Sequence, residues 1–230
     1  MNTWRSIIRI LVVLLFSVPL LLWGQEDSDW QVITPKPSSD LSEVDKITML
    51  ATSGNYELTK SALHFLLDDV KSGNSDVRID ETRQILTRIV HHASQPGNAL
   101  MPSEIVLLHQ IAVRIPGVPG AQLSSKILML STDDAIRYSL LQELSSESVL
   151  LTADLDQSLI EILEGQRSRI PHPDYLIIKI ISQYLRGQFV DRSVIPSKQL
   201  LELLISIIPR IHVSEIRSHL YETLDLIITF

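Results

Sequence analysis

Residues 79–93 read IDETRQILTRIVHHA, and this stretch decides the fold class. Projected at about 100° per residue, Ile79, Thr82, Ile85, Leu86, Ile89, Val90 and Ala93 fall within an arc of about 140°. Asp80, Glu81, Arg83, Gln84, Thr87, Arg88, His91 and His92 fill the rest of the circle. One apolar side and one solvated side at a 3.6-residue period is a helix lying on a core.

The preceding stretch behaves the same way. Leu58, Ala62, Leu63, Phe65, Leu66, Leu67 and Val70 cover one half of a helix, and Lys60, His64, Asp68 and Lys71 the other, with Asp69 the single misfit. Outward from these two, the pattern repeats as helix, short break, helix. Ten helices are predicted, at approximately 41–52, 57–71, 79–93, 103–115, 120–131, 134–146, 153–164, 174–186, 197–208 and 214–229. Gly54, Gly73, Gly165 and Gly187 fall after periodic stretches, where a left-handed C-cap suits glycine. Asp40 with Glu43 has capping-box spacing, Thr152 and Ser214 suit N-caps, and Pro102, Pro173 and Pro196 suit helix starts. Breaks are also expected at residues 95–98, at 116–120 and at Pro209.

Three helices lack a polar face: Ile105 to Val113, Tyr175 to Ile181, and Leu200 to Ile208. Such helices are covered on most sides. Their β-branched content would suit strands, but the runs exceed ordinary strand length and carry no hairpin turns.

Pairing the ten helices gives units that start near residues 41, 79, 120, 153 and 197, a mean spacing of about 39 residues. Residues 41–230 therefore resemble a HEAT/armadillo-type helical-repeat protein, an α-solenoid of about five helix pairs. The resemblance implies a curved stack whose faces bind other proteins. A compact irregular helical bundle is the alternative architecture.

The first 25 residues differ from the rest. Arg5 and Arg9 precede an apolar run from Ile10 to Trp23 that only Ser17 interrupts, the layout of a secretory signal. Residues near Gly24 are bulky for a signal peptidase, so an uncleaved anchor through residues 7–24 in the inner membrane is the alternative to cleavage. Acidic residues after the run orient the N-terminus inward either way. Residues 26–40, EDSDWQVITPKPSSD, read as an acidic Pro/Ser linker.

Composition narrows the partner class. Two of the 20 basic residues, Arg5 and Arg9, lie in residues 1–25, so the remainder carries 18 against 27 acids, a net −9. That balance argues against nucleic acid and against a general attraction to anionic membranes. There is no cysteine, so an exported chain must hold together by burial alone. The sequence also lacks an Asn-x-Ser/Thr sequon, which leans toward a periplasmic rather than a eukaryotic extracellular setting.

Chemistry-bearing motifs are sparse. Glu215, His219 and Glu222 share a helical face at i, i+4 and i+7, so a metal site is sterically possible there, but Ser218 and Asp225 on the same side make it an ordinary solvated face. His91 and His92 point about 100° apart and read as surface residues, and His109, in an apolar helix, reads as a hydrogen-bonded core or boundary residue. Neither a nucleophile elbow nor a glycine-rich phosphate loop is present. Paired acids such as Asp68-Asp69 and Asp133-Asp134 read as helix-end residues. No catalytic, metal or cofactor residues are assigned.

The C-terminus alternates at Leu224, Leu226, Ile228 and Phe230, like the last strand of an outer-membrane barrel, but nothing upstream supplies the other strands. As a helix, it places Val213, Ile216, Leu220, Tyr221, Leu224, Ile227 and Ile228 on one side, opposite Glu215, Ser218, His219, Glu222, Asp225 and Thr229. Leu226 on the polar side and Phe230 at its edge are the expected partner contacts. The sequence thus points to an exported, all-α scaffold or adaptor acting by protein–protein contact in the periplasm. A helical carrier of an apolar ligand is the alternative, and an enzyme with a site assembled from distant loops the third reading.

Overall fold

A computed structural model describes residues 41–72 and 76–229. Within them the chain is all-helical. Ten α-helices follow one another: α1 (Glu43–Ala51), α2 (Tyr56–Lys71), α3 (Asp76–Ala93), α4 (Pro102–Ala112), α5 (Gly117–Leu128), α6 (Asp134–Ser146), α7 (Ala153–Ser168), α8 (Tyr175–Arg192), α9 (Lys198–Ile207) and α10 (Ser214–Ile228), with a 3-10 turn at Ile208–Arg210. The expected signal segment, the linker, the Asp40 cap, Gly73 and Phe230 lie outside the described residues. No helix among those described is long and apolar enough to cross a membrane.

The helices form two layers. In one, α1 packs on α3, α3 on α5, α5 on α7 and α7 on α9; in the other, α2 packs on α4, α4 on α6, α6 on α8 and α8 on α10. Each helix therefore rests on the helices two before and two after it, which is stacking of pairs rather than irregular bundling. Stacked helix pairs occur in several repeat families, and the architecture does not select among them.

Apolar side chains between the layers form one continuous core, including Leu63, Leu86, Ile89, Leu108, Ile111, Leu140, Leu155, Ile178, Leu204 and Leu220. Each such leucine or isoleucine contributes roughly 1.5–3 kcal/mol by leaving water. Of the helices without a polar face, α4 and α8 are inner members of their layer, flanked on both sides, while α9 ends the other layer against α7. Leu176 and Ile205 are their exposed exceptions.

Polar side chains fix how far each pair is displaced along the next. Arg88 on α3 donates to Asp45 on α1 (2.6 Å), and Gln110 on α4 to Glu143 on α6 (2.7 Å). Arg114 reaches Glu147 (2.7 Å), Gln122 on α5 reaches Asp154 on α7 (3.0 Å), and the Asp156 carboxylate accepts the Ser197 N–H ahead of α9 (3.1 Å). These ties span 32 to 43 residues, close to one helix pair.

Local signals explain most helix ends. Asn55, Asp133, Asp174 and Ser197 accept N–H bonds from the first turns of α2, α6, α8 and α9, and Thr152 caps α7 as expected. Pro102 occupies the first turn of α4. Pro173 and Pro196 instead stand one residue before the caps Asp174 and Ser197. Other expectations need correction. Gly165 and Gly187 lie inside α7 and α8, not after them: buried Gln166 carries α7 on to Ser168, and Phe189 and Val190 carry α8 on to Arg192. The left-handed cap of α8 is Ser193, at φ 53°. Ser214 is the first residue of α10, whose cap, Val213, offers no side-chain bond. Helix α5 starts three residues earlier than expected, at Gly117, and a Cβ on Gly120 would overlap the Ile115 carbonyl oxygen. The misfit Asp69 is a half-buried partner of Arg78 on α3, at 2.6 Å.

Candidate functional site

Helix α10 ends its layer, so its orientation decides which of its residues are covered by α8. Ile216, Leu220, Thr223, Leu224 and Ile227 are buried, and Leu226 is half-buried. The Ser182 hydroxyl on α8 donates to the Thr223 hydroxyl (3.1 Å), and Thr223 is 1 % exposed. This bond turns the buried face toward Thr223. Tyr221 and Ile228, expected in the core, are consequently 57 % and 58 % exposed.

The carboxylates of Glu215 and Glu222 face cations on α8: Lys179 stands 3.7 Å from Glu215, and Arg186 3.9 Å from Glu222. His219 lies between them. Burial, then Arg186 and Lys179, push its pKa below the ordinary imidazole value, and Glu222 opposes them. One lysine and one arginine thus stand opposite the two acids. His91 is exposed, and His92 lies 3.4 Å from the Asn98 amide, in the turn after α3.

The most exposed large apolar residue described is Ile170, at 88 %, in the loop between α7 and α8. The loop is held from four sides. Buried Gln166 donates to Asp134 (3.1 Å) and accepts the Asp174 N–H (2.7 Å). Arg169 pairs with Asp134, and the Arg210 guanidinium donates to the carbonyls of Arg167 and Arg169. His172 stacks on Tyr175, with ring centroids 5.3 Å apart. Residues 169–176 line a shallow depression of about 420 Å³. A loop this well anchored, ending in a bare isoleucine, offers an apolar anchor with little conformational freedom left to lose on contact.

Deeper in the stack lies a polar pair. His109 on α4 is fully buried, with Nδ1 3.7 Å from Glu143 Oε2 on α6. That distance exceeds a hydrogen bond. Both His109 ring nitrogens, Glu143 Oε2 and the Ser124 hydroxyl on α5 are buried with no hydrogen-bond partner. His109 is thus a core residue, as expected, but not a hydrogen-bonded one. Burial holds its pKa below the ordinary value, against the pull of Glu143.

Of the two expected contacts, Leu226 is half-buried and Phe230 lies outside the described residues. The sequence reading passed over Ile170, whose only local signal is its setting among Pro171 and Pro173. It also passed over Glu143, because nothing local links that residue to His109. Comparison with protein-family models, with curated proteins and with solved structures gives no match for this chain.

Proposed function

We propose that the chain is an exported helical-repeat scaffold or adaptor that works by protein–protein contact in the periplasm, free or held at the inner membrane through residues 7–24. The observation that carries this reading is the anchored loop at Ile170. An isoleucine 88 % exposed on a loop pinned by Gln166, Asp134, Arg169 and Arg210 is well suited to enter a partner's pocket. The stacked pairs supply a rigid support, and the net negative body disfavours nucleic acid. Export rests on Arg5, Arg9 and the apolar run that follows, and the reading calls for no cofactor.

The test is cross-linking followed by purification from the native cell, with wild type beside Ile170→Asp. A stoichiometric protein partner retained by wild type and lost from a stably folded Ile170→Asp variant is the expected result. Equal recovery from both, or an apolar small molecule in place of a protein, overturns it. Fractionation should find the chain outside the cytoplasm.

A further inference from the structure

We propose that the His109–Glu143 pair is an acid-operated release in the seam between α4 and α6: when His109 takes up a proton, the second helix pair lets go of the third.

The geometry carries the argument. A neutral imidazole has one N–H, and a protonated one has two. Facing His109 Nδ1 is Glu143 Oε2 at 3.7 Å, and Glu143 Oε1 already accepts from Gln110. A small approach of α4 to α6 could satisfy Nδ1–H. The proton on Nε2 would remain buried without an acceptor, which opposes charging the closed state. Once the seam opens, water solvates both nitrogens. Protonation and closure therefore compete.

No other charge relieves this competition. On α4 the Glu104 carboxylate accepts the Met101 N–H, and just past its end Arg114 donates to the Gln110 carbonyl and to Glu147. Helices α2, α3 and α5 also pack on α4. Asp68 on α2, Arg83 on α3 and Lys126 on α5 reach solvent, Asp69 pairs with Arg78, and on α6 Asp134 pairs with Arg169 and Arg137 donates to the Ser131 carbonyl, while Leu63, Leu86 and Ser124 turn inward. Burial lowers the His109 pKa from the ordinary 6.5, and the Glu143 charge only partly offsets it.

The sign follows from linkage. Below about pH 6.5 the open chain binds a proton at His109 that the closed chain does not. Acid thus favours opening, and above that pH the pair adds no pH dependence. The opening constant should rise toward about tenfold at pH 5.5 relative to pH 7.5.

Hydrogen exchange on the full-length protein, corrected for intrinsic rates, tests this. Peptides from α4 and α6 should open about tenfold more often at pH 5.5, those from α9 should not, and His109→Leu should abolish the difference. Imidazole NMR of the wild type supplies a second reading independent of any variant: His109 should remain neutral well below pH 6.5 in the closed protein. Equal opening at the two pH values, the same acid response in His109→Leu, or ordinary titration of His109 near 6.5 would each overturn the proposal.

Discussion

Ser182 and Thr223 join hydroxyl to hydroxyl at 3.1 Å in the buried part of the contact between α8 and α10. Both are buried, so neither can exchange its partner for water. Removing one hydroxyl strands the other.

Ser182→Ala alone should therefore cost about 1–3 kcal/mol in urea unfolding. The double variant Ser182→Ala/Thr223→Val should cost less than the sum of the two single changes, because it leaves no orphan. Additive costs would show that the hydroxyls do not act as a pair.

Leu224 is buried beside this bond, whereas Tyr221 is exposed. Leu224→Asp should destabilise by several kcal/mol, losing a core leucine and burying a charge. Tyr221→Asp should stay within about 0.5 kcal/mol. Half-buried Leu226→Asp should fall between them, at about 1–2 kcal/mol. Thermal melts that rank Tyr221 above Leu224 would place the wrong face of α10 against α8.

Two glycines should respond with opposite signs. A Cβ on Gly120 would run into the Ile115 carbonyl, so Gly120→Ala should destabilise by about 1–3 kcal/mol. At Gly165, inside α7, a Cβ meets nothing within 4 Å, and Gly165→Ala should stabilise by about 0.5–1 kcal/mol. Denaturant midpoints for the two variants check both signs.

Tyr184 donates to the Val149 carbonyl at 2.8 Å, and burial holds its pKa well above the ordinary 10. Its hydroxyl thus stays protonated in the folded state while the unfolded chain ionises near pH 10. Stability from this group is complete below pH 10 and lost as pH rises beyond it. Tyr184→Phe should remove that alkaline component, as read by unfolding at pH 9 and pH 11. It should also cost about 1 kcal/mol at neutral pH, where Gln188 still serves the same carbonyl at 2.8 Å.

The helices were legible in the sequence because burial on one side writes a 3.6-residue period, and residues 79–93 carry it without exception. Their ends were less so. Glycine is tolerated within a helix at modest cost, so Gly165 and Gly187 could pass for stops when the chain ran on through Ser168 and Arg192. Asp69 looked misplaced until Arg78, nine residues away, stood beside it. The site was hardest to read. His109 depends on Glu143 and Ile170 on Arg210, and such ties follow from stacking rather than from any local pattern.

Those ties have a consequence for how the molecule comes into being. Among the described residues, the side-chain bonds made from α1 through Arg114 reach no further along the chain than Glu147, and the longest side-chain tie, Tyr56 to Ser103, spans 47 positions. Early helix pairs thus need nothing from α9 or α10 to settle. A chain emerging slowly from a ribosome, or threaded N-terminus first through a pore, can build itself segment by segment, each new pair finding a finished surface to land on.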